Sequence, residues 1–223
     1  MIIINAIIEI FPVLMKGLKV TVTVLIFSAI LGYLFAFITG LLRSSKYFII
    51  RFIPNIYVEV FRGTSLIVQL FWFYYAFPML FNFQLGSDLV AGVLAISLNY
   101  GAYMSEVVRS AIISVDKGQT EAATALNMTS FQRMRFVILP QAVRMMLPEF
   151  GNYLIQMLKA TSLVSLIGMT DILYHGDILR STNLSMAPTI YIVVLLFFFI
   201  LALPLIFLTR KMEKFAKKGV ASP

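Results

Sequence analysis

The sequence predicts an all-α polytopic membrane protein with five transmembrane helices and a cytoplasmic helical hairpin between the third and the fourth. Three observations carry that prediction. Of its 223 residues, 60% are hydrophobic and 13% are charged, and the mean hydropathy is +0.92, a composition suited to lipid rather than water. The apolar residues gather into five runs, each long enough at about 1.5 Å per residue to cross a hydrocarbon core of about 30 Å. Between the third and fourth runs lies a polar-edged stretch, residues 115–145, with two helix-start signals. No connection is long enough for a soluble domain, so residues 1–223 read as one transmembrane domain.

Residues 1–15 are apolar but interrupted by Asn5, Glu9 and Pro12, which reads as an interfacial amphipathic segment. The first basic residue is Lys16, so no cleavable leader is expected. Residues 20–42 form a charge-free first span, followed by a short basic loop with Arg43, Lys46 and Arg51. The second span, residues 53–77, is entered by Pro54 and left at Pro78, with Glu59 and Arg62 on one face. Residues 82–88 carry no lysine or arginine. The third span, residues 89–113, has Asn99 and Tyr100 midway, and Glu106 and Arg109 toward its end.

The fourth span, residues 150–169, includes Lys159, Thr161, Ser162 and Ser165. It leads to a loop with Asp171, His175, Asp177 and Arg180, whose charges suggest solvation and no metal geometry. The fifth span, residues 187–209, precedes a tail with Arg210, Lys211, Lys214, Lys217 and Lys218, expected to lie against anionic lipid. Basic residues follow spans one, three and five, whereas the loops after spans two and four hold none and one. The positive-inside rule then places the N-terminus outside and the hairpin and tail in the cytoplasm, with Lys16 and Lys19 outnumbered.

Several chemistries are excluded. The chain has no cysteine and only His175, which removes disulfides, thiolate metal sites, cysteine nucleophiles and a histidine metal cluster within one chain. The net charge of +8 sits beside apolar runs and reflects membrane orientation rather than nucleic-acid binding.

The hairpin carries the densest pattern: residues 121–140 read EAATALNMTSFQRMRFVILP. Asp116 with Gln119, and Thr129 with Gln132, are capping-box starts for two short helices. Asn127 is placed to make a left-handed turn between them, and Pro140 is expected to limit the second helix. An alanine face of Ala122, Ala123 and Ala125, beside Phe131, Met134 and Phe136, suits a docking surface better than a solvated linker.

This stretch resembles the EAA loop of the membrane subunits of bacterial ABC importers. That pattern is Glu-Ala-Ala, three residues, Gly, nine residues, Ile, any residue, Leu-Pro. Glu121, Ala122 and Ala123 match, Asn127 replaces the glycine, and Val137, Leu139 and Pro140 complete it. The run VEVFRGTSLIVQLFWFYYAFP, residues 58–78, is similar to the second-helix signature of the polar amino acid uptake permeases. Glu59, Arg62, Gly63, Thr64 and Gln69 match it, and Ser65 replaces a proline. Residues 99–109 and 151–168 resemble that family's third and fourth helices, extending the likeness over about residues 10–215.

The resemblance implies a permease subunit in a bacterial cytoplasmic membrane. Its partners would be a second permease, identical or homologous, two ABC ATPase subunits, and an extracytoplasmic solute-binding protein, all assembled in the lipid bilayer. ATP and Mg ions would be bound by the ATPase, with no cofactor in this chain and no enzymatic activity of its own. The lack of a G-x-x-x-x-G-K-[ST] loop agrees. Glu121, Ala122, Ala123, Asn127, Leu139 and Pro140 would couple to the ATPase. The cargo would be a polar or zwitterionic amino acid, or a compatible solute such as ectoine.

A buried ion costs several kcal/mol unless paired, so Glu59, Arg62, Glu106, Arg109 and Lys159 are expected to face the bundle interior or a watery path. Glu106 with Arg109 reads as a structural pair near a helix end, whereas Arg62 and Lys159 suit either pairing or a pathway. Gln69, Asn99, Tyr100, Tyr153 and Gln156 are candidates to line a central cavity. Thr161, Ser162 and Ser165 are expected to bond back to their own helix. The aromatic run Phe71, Trp72, Phe73, Tyr74, Tyr75 and Phe77 reads as an interfacial belt. At most two of those rings could serve cation-π capture of a solute. Few interior carboxylates argue against a strongly cationic cargo. A stand-alone ion-coupled transporter is the competing class, and it would need acidic or unwound mid-membrane sites and often an inverted repeat. Five spans do not divide evenly, and a scaffold without transport would leave Asn99, Gln156 and Lys159 unexplained.

Overall fold

The computed structural model describes residues 2–82 and 86–217, which are helical apart from short connections. Residues 83–85 of the second connection and Lys218 of the basic tail lie outside the described residues.

Helix α1 runs unbroken over Ile2–Arg43. The opening residues are therefore not a separate interfacial element, and Pro12 lies within the helix. Protein covers one side of its described part: Ile10 and Leu14 are buried in a cluster with Ile172, Ile190 and Val193, whereas Phe11 and Met15 on the same helix are exposed.

The second span also differs from its expected form. It consists of α2, Phe48–Gly63, and α3, Leu66–Phe81, bent by 108° at Thr64 and Ser65. Pro54 and Pro78 both lie inside helices, and the break falls after Gly63, a poor helix former. Thr64 and Ser65 are extended there.

Helix α4, Asp88–Ser114, matches its expected bounds closely. The hairpin follows as α5, Lys117–Ala125, and α6, which begins at Ser130 and continues to Ile167. Pro140 does not end the second hairpin helix. A π-helical turn, Arg133–Ile138, precedes it, as Trp72–Ala76 precedes Pro78. In each case the widened turn shifts the hydrogen-bond ladder just before a residue that lacks an N–H, so the helix passes through the proline.

The last turns of α6, Thr161–Ile167, tighten to a 3-10 helix and stop at Gly168 with φ +84°. The supposed solvated loop is α7, Ile172–Thr182, capped by Asp171. Helix α8 covers Ala187–Lys217.

Among the described residues, two helical stretches, Glu9–Arg43 and Leu184–Ala216, are long and apolar enough to cross a membrane; counting each bent pair as one span makes four. Helix α4 falls outside that count because of residues such as Asn99, Ser97 and Ser105, yet all three are buried. Asn99 bonds to the neighbouring span, while Ser97 and Ser105 donate back to carbonyls of their own helix.

Helix α1 packs along α4 through facing stripes of small residues at four-residue spacing. Ser28, Gly32, Ala36 and Gly40 on α1 are buried opposite Ser97, Gly101 and Ser105 on α4. A Cβ added at Gly40 would stand 2.5 Å from Val108 Cβ. Such spacing lets helix backbones approach where apolar burial alone cannot drive association in lipid. The main core joins Val24, Ala36, Leu70, Ile96, Met104 and Met157, drawn from α1, α3, α4 and α6.

Candidate functional site

The bend between α2 and α3 frees backbone carbonyls that would otherwise bond within a helix. Two side-chain amides take them up. Gln69 Nε2 donates to Phe61 O at 2.9 Å and to Thr64 Oγ1 at 2.7 Å. Asn99 Nδ2, from α4, donates to Phe61 O and to Gln69 Oε1, each at 3.0 Å. The backbone oxygen of Phe61 only accepts, which orients both amides with nitrogen toward the break. Gln69 is thus buried within this network, where it also borders an apolar pocket with Phe61, Thr64 and Trp72.

Beside this network lies a cavity of about 410 Å³ that brings together Asn99, Tyr100, Tyr153 and Gln156 with Thr64 and Tyr103. Four of the polar residues expected at a central cavity meet there. The Tyr100 hydroxyl donates to Gln156 O at 3.3 Å, and the Tyr153 ring lies 6.3 Å from Tyr100 and 6.4 Å from Tyr103. Tyr103 has no motif to mark it in the sequence, although its place four residues after Asn99 puts both on one face of α4. Lys159 is exposed on α6 and outside this group. Thr161, Ser162 and Ser165 each donate to the carbonyl three residues earlier, the local bonding expected of them.

Glu106 of α4 is the centre of an arginine cluster. Arg43 Nη1, from the end of α1, bonds Glu106 Oε2 at 2.7 Å, and Arg109 bonds Oε1. Arg62 Nη1 stands 4.0 Å from Oε2. The Glu106–Arg109 pairing is present, and Arg43, which reads in sequence as a loop residue, adds an interhelical partner on the other oxygen. Glu59 forms no ion pair with Arg62 among the described residues.

Apart from the helix continuing through Pro140, the hairpin is built as its signals require, with one difference. Asp116 caps α5 by accepting from Gly118 N at 2.6 Å, but the Gln119 side chain accepts from Gln141 instead of completing a box. The Thr129–Gln132 capping box is complete. Asn127 is left-handed at φ +56°. Its N–H donates to Thr124 O, and that of Met128 to Ala123 O, the two bonds of a Schellman turn. Arg133 donates to Thr124 Oγ1 at 2.8 Å and to Ser130 Oγ at 3.0 Å, tying α6 to α5. Ala123 is buried; Glu121, Ala122, Leu126, Phe131 and Phe136 are exposed. Leu139 is half-buried and Pro140 exposed.

Asp171 is fully buried. Its Oδ1 accepts from Tyr174 N at 2.9 Å while Oδ2 has no partner. Burial pushes the carboxyl up to about 6. Partial burial and Lys16 lower the nearby His175.

Comparison with known proteins completes this picture. Residues 31–218 match the family of binding-protein-dependent transport system inner membrane components. The chain is 44% identical over 203 residues to the probable amino-acid ABC transporter permease protein y4tF of Sinorhizobium fredii, covering 89% of this chain and 84% of that one. It is 34% identical over 203 residues to the glutamine transport system permease protein GlnP of Escherichia coli, covering 91% and 92%. A crystal structure of an amino acid ABC transporter with histidines superposes with a TM-score of 0.85 at 34% identity, covering 94% of this chain and 97% of that one. The chain belongs to the binding-protein-dependent transport system inner membrane components, and is a non-enzymatic permease subunit of the amino-acid ABC transporter kind.

Proposed function

We propose that this subunit imports a polar or zwitterionic amino acid, or an amino-acid-like compatible solute such as ectoine, across the bacterial cytoplasmic membrane. ATP hydrolysis by two partner ATPases drives the transport, with ATP and Mg ions held there. A second permease completes the path, and an extracytoplasmic binding protein delivers the solute. The relative named for glutamine and the solved transporter with histidines support an amino acid as cargo.

Five spans cross the bilayer in this reading: α1, the α2–α3 pair, α4, α6 and α8. Helix α4 is included because the other helices enclose its polar residues. The N-terminus lies outside, and the α5–α6 hairpin and the C-terminus lie in the cytoplasm. Asn99, Tyr100, Tyr153 and Gln156 line the solute path, with Arg62 near it; Gln69 supports Asn99 from behind, and Lys159 stands exposed outside this group.

The observation that carries the reading is the surface of the hairpin. A Schellman turn, a complete capping box and an arginine clamp hold a rigid corner on which Glu121, Leu126, Phe131 and Phe136 stand exposed. Apolar side chains on such a rigid, otherwise polar corner suit a protein partner. Glu121, Ala122, Ala123, Asn127, Leu139 and Pro140 are the coupling residues in this reading. Closure of the ATPases would draw the two hairpins together and open the spans outward, and hydrolysis would reset them.

Glu121→Lys tests the hairpin. The variant should reach the membrane at wild-type level, while co-purifying ATPase falls about fivefold or more, as expected for reversing an interface charge. Wild-type co-purification together with wild-type transport would refute the coupling role.

A further inference from the structure

We propose that Arg62 is a carboxylate-binding station beside the cavity, recognising the carboxylate of an amino-acid-type solute as it passes. The inference rests on the cavity being the solute path.

Three guanidinium groups converge on one carboxylate. Arg43 and Arg109 occupy the two oxygens of Glu106, and Arg43 is further fixed by donating from Nε to Asn55 Oδ1 at 2.8 Å. Arg62 is left at 4.0 Å. Its side chain is 41% exposed, against 13% for Arg43. Among the described residues Arg62 makes no other ion pair and no side-chain hydrogen bond.

What holds Arg62 in place is an aromatic wall of the cavity. Its guanidinium lies over the Tyr103 ring, 5.4 Å from the centroid, and the Tyr103 hydroxyl donates to Arg62 O at 3.3 Å. Tyr103 lines the cavity with Asn99 and Tyr153. The cation is therefore positioned at the path with its donors largely unspent.

The charge balance points to an anion. Within the ion-paired cluster three guanidinium groups face the single carboxylate of Glu106, so an incoming carboxylate meets a cation there rather than another pair. A planar guanidinium matches a carboxylate through two parallel N–H donors, and every zwitterionic amino acid carries one. Because Arg43 and Arg109 already satisfy Glu106, Arg62 can turn to the solute without leaving that carboxylate unpaired.

The test uses the permease–ATPase complex in lipid nanodiscs, without the binding protein, and measures equilibrium binding of labelled L-glutamine and L-histidine. Competition by each acid is compared with competition by its carboxamide, which lacks the carboxylate. In wild type the acid should compete about tenfold better than the amide. Arg62→Gln should bring that ratio close to one, and Arg62→Lys should give an intermediate value, with ATPase co-purification confirming assembly in both. Equal weakening of acid and amide would make Arg62 merely structural and overturn the proposal, as would an unchanged ratio. If neither acid nor amide binds the wild-type complex, the cavity is not the path and the station falls with it.

Discussion

Asp171 caps α7 with one carboxylate oxygen and leaves the other unpartnered in a site closed to solvent. Water would solvate both oxygens in the unfolded chain, so the folded carboxyl is raised to about 6 from the ordinary 3.8. Well below the ordinary value of 3.8 both states are protonated and this group costs no stability. As pH rises from about 4 to 6 the unfolded chain ionises first, so stability is lost, and above about 6 the penalty is constant, at up to ~3 kcal/mol. Asp171→Asn should remove this pH-dependent component, read as a difference in thermal unfolding midpoint from wild type that changes between pH 4 and 7. A constant difference across that range would show that the carboxyl is not strained. At this scale the sequence marks Asn99, Tyr100, Tyr153 and Gln156, since polar groups within apolar runs stand out. It does not mark the role of Gln69 or Arg43, whose partners come from a helix break and from a residue 63 positions away.

The hairpin is the element most legible beforehand, because capping boxes and left-handed turns are short-range. Asn127 at φ +56° makes a specific demand: a β-branched residue pays roughly 1–2 kcal/mol there, whereas glycine pays no steric penalty. Asn127→Val should expose the amides of residues 127 and 128 to hydrogen exchange, and Asn127→Gly should keep them protected. Retained protection in the valine variant would mean that the turn is held by its surroundings. Proline is the signal that misleads within elements. Pro54, Pro78 and Pro140 look like boundaries, yet each lies inside a helix. The real interruption, at Thr64 and Ser65, is stabilised from α3 and α4 by Gln69 and Asn99, and no local propensity reveals those donors. Helix α7 is hidden in the sequence for a related reason: its charged residues suggest solvation, although Asp171 and Ile172 are fully buried.

For the whole molecule, the contact between α1 and α4 organises the bundle and depends on missing side chains. Gly40→Val would press a branched side chain against Val108 and against Ser105 O, which lies 2.8 Å from an added Cβ. Overpacking of this kind costs about 1–3 kcal/mol. The thermal midpoint of the purified protein, followed by Trp72 fluorescence, should fall clearly for Gly40→Val and little for Ile38→Val on the exposed face of α1. Equal midpoints would show that the helices do not meet there. The sequence by itself determined the membrane class, the five apolar runs and the hairpin with its turn, because hydropathy, capping and left-handed backbone are properties of neighbouring residues. Only the tertiary structure decided that the second run is broken, which amides close the break, which tyrosines share the cavity and which arginines share Glu106. Those outcomes depend on side chains from different helices meeting in a low-dielectric interior, where each polar group takes the partner that packing brings within reach.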